Sequence, residues 1–273
     1  MNEVVIRLLQ SSICFGTVIM YGAIGEILTE KSGNLNLGVP GIMYLGGISG
    51  LAAAFFYERG TSDPSGILCI LISLAAAFLA SALGGLLYSF LTITLRANQN
   101  VTGLALTTFG IGVGNFIGGS LSKIAGTAGQ ITVYTTGQAF RTTIPGLSQI
   151  PVVGPLLFSY GFLTYLSLAL ALFFAYLLAR TRCGLNLRAV GENPATADAA
   201  GINVIRYKYG FTILGGAVAG LGGLYFVMEY LGGTWQNNGF GDRGWLAIAL
   251  VIFALWRPLR AIWGSFLFGG LYI

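Results

Sequence analysis

Few side chains in this sequence are of a type that could carry out catalysis. There is no histidine, the residue most often used as a general base or metal ligand near neutral pH. A phosphate-binding loop needs Gly-Lys-Ser/Thr, whereas the three lysines follow Glu30, Ser122 and Tyr207. The carboxylates Glu26 and Glu229 lie at the edges of different apolar segments. We therefore predict no catalytic site, no metal site and no cofactor on this chain.

Polar side chains within or beside the apolar segments are the remaining candidates, because polar groups are costly in lipid. Amides together with aromatic rings suit a small, neutral, ring-shaped solute that forms hydrogen bonds better than they suit an ion. Alternatively, each side chain bonds a neighbouring backbone group. The predicted pathway residues are Glu26, Asn34, Asn36, Thr107 and Asn115 in the first half, with Glu229, Trp235 and Gln236 in the second.

The longest polar stretch runs from Arg180 to Tyr209 and contains a short helix with both ends marked. Asn193 can cap it by accepting a hydrogen bond from a free N–H of the first turn. Pro194 follows at the first helical position, where its missing N–H costs nothing. Gly201 can adopt the left-handed conformation that ends a helix. Such a helix is suited to contact a partner, although an ordinary solvated turn is the alternative.

The composition is that of a membrane protein. Apolar residues make up 55% and charged residues 8%, against about 25% charged in soluble chains. Mean hydropathy is +0.78. The net charge of +5 is too sparse for nucleic-acid binding. The three cysteines are far apart in sequence and predict neither a disulfide framework nor a zinc site.

The hydropathy pattern predicts an all-α bundle of about eight segments within one transmembrane domain, residues 1–273. The first segment reads as a transmembrane helix and not as a cleaved signal, and we expect the sequence to end inside a helix. Interruptions at SGNLNLGVPG and NNGFGDRG are typical of the broken or re-entrant helices that form transporter binding sites. The predicted segments are Leu8–Leu28, Leu37–Tyr57, Gly66–Leu95, Val101–Leu121, Leu156–Ala179, Gly210–Leu231, a short Trp245–Trp256 and a last one from Ala261. Between the fourth and fifth, Lys123–Pro155 is predicted to be strand-like or irregular.

Basic residues near segment ends predict the orientation. With Arg180–Tyr209 in the cytoplasm, nine of the 14 lysines and arginines are cytoplasmic and the N-terminus is outside. A short re-entrant segment at 245–256 would reverse the orientation of the last segment. Glycines at four-residue spacing, above all Gly110, Gly114 and Gly118, predict closely packed helices.

Four stretches resemble the permease subunits of bacterial ABC importers for simple sugars and nucleosides that depend on basic-membrane-lipoprotein-type binding proteins. They are GEILTEKSGNLNLGVPGIMYLGG, LRANQNVTGLALT, LNLRAVGENPATADAAGINVIRYKY and GFGDRGWLAIALVIFALWRPLRAIWGSFLFGG. Two positions depart from the family pattern: Pro40 stands where Glu is common, and Thr107 replaces a frequent Asn.

This resemblance implies a non-catalytic subunit of an ATP-driven importer in the bacterial cell membrane, with nucleosides as solute. The implied partners are a second permease subunit, identical or related, two ATPase subunits that bind ATP and Mg²⁺, and an extracellular solute-binding lipoprotein. The resemblance also implies that the loop 180–209 docks on the ATPase. The coupling residues it implies are Arg188, Gly191, Glu192, Asn193, Pro194, Ala197, Asp198, Gly201 and Ile202. The alternatives are an importer of simple sugars, or a transporter or channel that works alone.

Overall fold

The computed structural model describes residues 3–127, 129–143 and 154–273, and within them the chain is a helix bundle. Among the described residues, six helices are long and apolar enough to cross a membrane, which confirms a helical membrane protein. The count of about eight segments stays a prediction. The helices are α1 (Glu3–Lys31), α2 (Val39–Gly60), α3 (Gly66–Ser89), α4 (Gln99–Ala125), α5 (Tyr134–Phe140), α6 (Phe162–Arg180), α7 (Arg182–Glu192), α8 (Pro194–Ala199), α9 (Val204–Tyr225), α10 (Arg243–Phe253) and α11 (Pro258–Tyr272). Single π-helical turns extend α3 to Thr94 and α9 to Tyr230, and a third spans Gly154–Phe158.

The region between α4 and α6 differs in part from the sequence prediction. Strand β1 (Gln130–Thr132) pairs antiparallel with β2 (Thr234–Gln236), so strand-like character is confirmed there. The prediction of strand or irregular structure was wrong for Tyr134–Phe140, which forms α5. Residues 144–153 of the predicted connection lie outside the described residues.

Helices α2 and α9 form the centre of the bundle. In α9, 89% of the most apolar stretch is buried, and in α2 78%, whereas in α3 the share is 22%. Small residues permit this central contact, because a Cβ added at Gly47 would lie 2.9 Å from the carbonyl oxygen of Gly223. Helix α3 is less buried and carries large exposed apolar side chains on its outer surface instead, such as Ile67 and Leu83.

The bundle has one end rich in basic residues, which we call the basic end, and an opposite end. Lys31 closes α1 at the basic end, close to Arg188 of α7 and Arg257 of the α10–α11 connection. The opposite end holds the β1–β2 pair. The charge bias predicts that the basic end is cytoplasmic.

The first turns of two helices, α2 and α10, pack against each other and against the middle of α1. A Cβ added at Gly22 would lie 3.5 Å from Val39, so α2 starts about 13 Å back along α1 from Lys31. The same added Cβ would lie 2.7 Å from Ala247 of α10, and one added at Gly244 would lie 2.6 Å from Pro40. The N-terminal turns of α2 and α10 therefore meet inside the bundle, at the two interruptions that the sequence indicates.

Candidate functional site

Residues 180–209 form two helices, α7 and α8, at the basic end. Asn193 caps α8 as predicted, with its Oδ1 accepting a hydrogen bond from Thr196 N at 3.1 Å. Pro194 is the first residue of α8, and Gly201 has φ +81° just after it. Ala197 is 2% exposed. The other α8 residues are exposed, so most of the surface of this short helix is not covered by the rest of the described chain.

Helix α7 is a feature that sequence reasoning missed. Its buried residues Gly184, Leu187 and Val190 recur every three positions, a helical period that the apolar pattern could have indicated. Thr181 caps its start, with Oγ1 accepting a hydrogen bond from Gly184 N at 3.1 Å. Because Asn193 both ends α7 and caps α8, the two short helices form one continuous polar element.

The end of α7 touches the α1–α2 turn, residues 32–38. A Cβ added at Gly191 would overlap the carbonyl oxygen of Lys31, and one added at Gly33 would lie 3.3 Å from Gly191 Cα. Gly33 has φ +86°, a conformation that side chains rarely allow. Both glycines are therefore needed for this backbone contact between α7 and the turn.

Four predicted pathway residues lie in this turn or bond to it, and we call Glu26, Asn34, Asn36 and Thr107 the inner cluster. Glu26 Oε1 accepts a hydrogen bond from Asn36 N at 2.7 Å, and Asn36 Oδ1 accepts one from Gly38 N at 2.8 Å. Thr107 Oγ1 donates to Leu37 O at 2.8 Å. The structure thus brings these residues together, but most of their hydrogen bonds go to the backbone of the turn.

Three further side chains hold the same turn and were not singled out from the sequence. Gln99 Oε1 accepts a hydrogen bond from Leu35 N at 2.8 Å, and the Tyr88 hydroxyl donates to Leu35 O. Asn34 Nδ2 donates to Thr212 Oγ1 at 3.0 Å, which ties the turn to α9. Gln99 lies in the polar LRANQN stretch and was detectable as a turn residue, whereas Tyr88 and Thr212 carry no local signal.

Glu26 leaves one polar atom unused. Its side chain is 0% exposed, and among the described residues its Oε2 has no hydrogen-bond partner. An unpartnered buried acceptor is unfavourable by about 1–3 kcal/mol. Glu26 Oε2 is therefore available for one further hydrogen bond.

A second group lies at the opposite end, and we call Asn115, Trp235, Gln236 and Asn238 the outer cluster. Asn115 Nδ2 donates to Asn238 Oδ1 at 2.8 Å, and Asn238 N donates to Asn115 Oδ1 at 3.0 Å. Trp235 is 1% exposed, and Gln236 is exposed beside it in β2. Asn238, with φ +57°, was not predicted, although the Asn-Asn-Gly sequence around it is typical of a turn.

The glycine series of α4 explains how Trp235 enters the bundle. A Cβ added at Gly114 would lie 3.3 Å from its ring, and one added at Gly118 would overlap the indole nitrogen. Gly110 instead contacts Gly41 of α2. Gly110 thus permits the close contact of α4 with α2, and Gly114 and Gly118 make room for the Trp235 ring.

Glu229 belongs to neither cluster. Its Oε1 accepts a hydrogen bond from Leu163 N at 2.7 Å, and its Oε2 accepts one from Thr164 Oγ1 at 3.3 Å. It therefore satisfies the N-terminus of α6, where a negative charge is favoured. Arg141 donates to the carbonyl oxygens of Glu229 and Tyr230. A cavity of about 560 Å³ opens beside Glu229 and Arg141. The predicted pathway residues therefore occupy three separate places: the inner cluster, the outer cluster and the position of Glu229.

This chain belongs to the family described as branched-chain amino acid transport system / permease component, which matches residues 8–273. It is thus a permease component of an ABC transporter and a multi-pass protein of the cell membrane. The resemblance found in the sequence is confirmed. Membership implies association with ATPase and binding-protein partners.

Individual relatives carry both nucleoside and sugar names. The chain is 32% identical over 256 residues to the nucleoside ABC transporter permease protein NupC of Lactococcus lactis, covering 93% of this chain and 77% of that one. It is 31% identical over 262 residues to the guanosine ABC transporter permease protein NupQ of Bacillus subtilis, covering 95% and 78%. It is 34% identical over 266 residues to the putative glucose ABC transporter permease protein TsgC13 of Haloferax volcanii, covering 96% and 74%. No solved structure matches the chain.

Proposed function

We propose that this chain is the permease subunit of an ATP-driven, binding-protein-dependent nucleoside importer, coupled through α7–α8 to an ATPase on a separate chain. Residues 1–273 act as one transmembrane domain that forms part of the solute pathway. The observation that carries the coupling is the close contact of Gly191 with Lys31 and Gly33. It connects an exposed, capped helix directly to a turn inside the bundle.

Coupling begins at α8. Its exposed face, which includes Asp198, is available to the ATPase, and Asn193 keeps its first turn fixed. Since α7 and α8 share Asn193, a force on α8 displaces the end of α7. Gly191 then transmits that displacement to the α1–α2 turn, because no side chain lies between the two backbones.

The turn distributes the displacement to the helices that surround it. Glu26 and Asn36 hold its far side next to the start of α2, and Thr107 holds Leu37 against α4. The N-terminal turn of α2 also contacts α10 through Pro40 and Gly244. Movement of this turn is therefore passed to α2, α4 and α10 through these contacts.

Nucleosides are the favoured solute for two reasons. Two of the three relatives described are named for nucleosides or guanosine. In addition, the outer cluster offers the exposed amide groups of Gln236 and Asn238, which match the hydrogen-bonding edge of a nucleobase, while the Trp235 ring itself is buried. Simple sugars are the second candidate, supported by the putative glucose permease, which has the higher identity of 34%.

The complete importer contains two permease subunits, identical or related, and two ATPase subunits that bind ATP with Mg²⁺. An extracellular lipoprotein delivers the solute. No cofactor is needed on the permease, whose role is to bind the solute, change conformation and release the solute.

The test is uptake into proteoliposomes that contain the assembled transporter, with ATP inside and the binding protein outside. A panel of labelled nucleosides and simple sugars is compared at equal concentration. We expect nucleoside uptake that requires both ATP and the ATPase subunit. Preferential uptake of sugars would transfer the proposal to the second candidate. Equal uptake without the ATPase would instead indicate a transporter or channel that works alone.

A further inference from the structure

A cavity of about 690 Å³ opens at the basic end between α6, α7 and the α10–α11 connection. Among the described residues, four basic side chains and one acidic side chain, that of Glu192, line it. The basic residues are Lys31, Arg188, Arg257 and Arg260. They come from different parts of the chain, so the fold and not a local run of charge brings them together.

Most of these cationic groups are free to bind a ligand. Arg188 donates one hydrogen bond, to the carbonyl oxygen of Leu178. Within the described ranges, the side chains of Lys31, Arg257 and Arg260 make no hydrogen bond. Guanidinium groups match phosphate oxygens in a two-pronged geometry, and an ammonium adds a point charge. The lining therefore fits a phosphate oxyanion.

The start of α11 adds a second attraction for an anion. Arg257 occupies the N-cap position of this 15-residue helix but makes no side-chain cap hydrogen bond, and Pro258 follows it. The N-terminus of a helix carries a partial positive charge. Pro258 and Leu259 line the cavity, so this helix end faces it.

The connection before α11 has an unusual backbone. Leu255 and Trp256 have φ +52° and +53°, a conformation that is strained for residues other than glycine. The Trp256 indole N–H donates to Glu30, which holds the connection against α1. This strained connection directs Arg257 and the start of α11 to the cavity, and such strain is concentrated at functional sites.

Apolar side chains continue from the cavity along α11. Leu255 and Leu259 line it and are 54% and 50% exposed. Trp263 and Leu267 follow Leu259 at four-residue spacing on the same face of the helix and are also exposed. A ligand with a phosphate group and a hydrocarbon tail matches both the cavity and this face.

We propose that this cavity binds the phosphate group of an anionic phospholipid from the cytoplasmic leaflet. The site lies beside Arg188 and Glu192 of α7, so a bound headgroup also restrains the element that we assign to coupling. Phosphate is the shared chemistry of a lipid headgroup and a soluble phosphate ester. Lipid is the favoured source because of the exposed apolar side chains on α11.

The experiment measures retention of phosphatidylglycerol by the assembled transporter, using native mass spectrometry after titration in phosphatidylcholine nanodiscs. The cavity variant is Arg257→Gln with Arg260→Gln. The matched control is Arg182→Gln with Arg206→Gln, which removes the same charge from exposed residues at the same end but outside the cavity. Each basic residue contributes about 1 kcal/mol to anionic-lipid binding. We therefore expect about a thirtyfold loss of affinity in the cavity variant and less than about a threefold loss in the control.

The other outcomes are equally informative. Equal losses in both variants, or no preference for phosphatidylglycerol over phosphatidylcholine, would overturn the proposal. Displacement of the lipid by millimolar inorganic phosphate would assign the ligand to solution and overturn the lipid proposal. If the cavity variant keeps its lipid but releases the ATPase subunit, the cavity is part of the ATPase interface and the lipid proposal is wrong.

Discussion

The inner and outer clusters use the same kinds of polar side chain in opposite ways. In the inner cluster, Glu26, Asn36 and Thr107 are buried and bond the backbone of one turn. In the outer cluster, Asn115 and Asn238 bond each other, and Asn238 is exposed. A buried group bonded to the backbone is expensive to release, whereas an exposed amide pair exchanges partners with water or solute at little cost.

This difference indicates that the inner and outer clusters have different roles. The inner cluster shapes and positions the α1–α2 turn, and the outer cluster is the better candidate for contact with the solute. Changes at the inner cluster should therefore alter stability and coupling together. Changes at the outer cluster should alter the apparent affinity for solute while stability stays nearly constant.

The largest effect is expected for Gly191→Ala, at the contact between α7 and the turn. The new Cβ overlaps the carbonyl oxygen of Lys31, so the end of α7 must move. A displacement of about 1 Å lowers enzyme rates by about a hundredfold, and we expect a comparable fall in ATP-driven uptake. Gly210→Ala is the matched control, because its Cβ meets nothing within 4 Å. Normal uptake by Gly191→Ala would contradict a role for this contact in coupling.

The next effect is expected for Glu26→Ala, which leaves Asn36 N without its acceptor in a buried site. Thermal unfolding of the detergent-solubilised protein should show a loss of about 1–3 kcal/mol. Glu26→Gln keeps an amide oxygen as acceptor and should lose less. If the two variants unfold alike, the hydrogen bond to Asn36 is not what Glu26 contributes.

A smaller effect, confined to solute binding, is expected for Asn115→Ala in the outer cluster. Loss of one solute hydrogen bond should raise the KM for nucleoside uptake by about tenfold, with unfolding changed by less than about 1 kcal/mol. Asn100→Ala is the control, since Asn100 is an exposed amide on the same helix at the basic end. An unchanged KM would leave Asn115 as a residue that only binds Asn238.

The smallest effect is expected for Asn193→Ala, which removes the cap of α8. A lost cap costs about 1 kcal/mol, enough to increase amide hydrogen exchange in α8 by about fivefold. Thr196→Ala is the control, because the structure gives its side chain no hydrogen bond within the described residues and its N–H still reaches Asn193. Equal exchange in the two variants would contradict a capping role.

The sequence predicted those features that depend on local chemistry. Hydropathy indicated the long helices, and Asn193, Pro194 and Gly201 marked α8 because capping is decided by neighbouring residues. The two interruptions also predicted where α2 and α10 begin. In contrast, α5 was missed because a seven-residue helix leaves little periodic signal.

The partners of the site residues could not be predicted, because they are distant in sequence. Tyr88 reaches Leu35 across 53 positions, and Asn34 reaches Thr212 across 178. No spacing rule joins such pairs. For the same reason, Glu229 was grouped with Trp235 because the two are close in the chain. In the structure Glu229 instead accepts a hydrogen bond from Leu163 N at the start of α6.

The β1–β2 pair has a mechanical consequence. Gln130 to Thr132 are joined in register to Thr234 to Gln236, which fastens the segment after α4 to the segment after α9. The ends of α4 and α9 are thus linked to each other through this pair of strands. Separation of α4 from α9 at this end would break the hydrogen bonds between β1 and β2. We therefore expect the two helix ends to move outwards together.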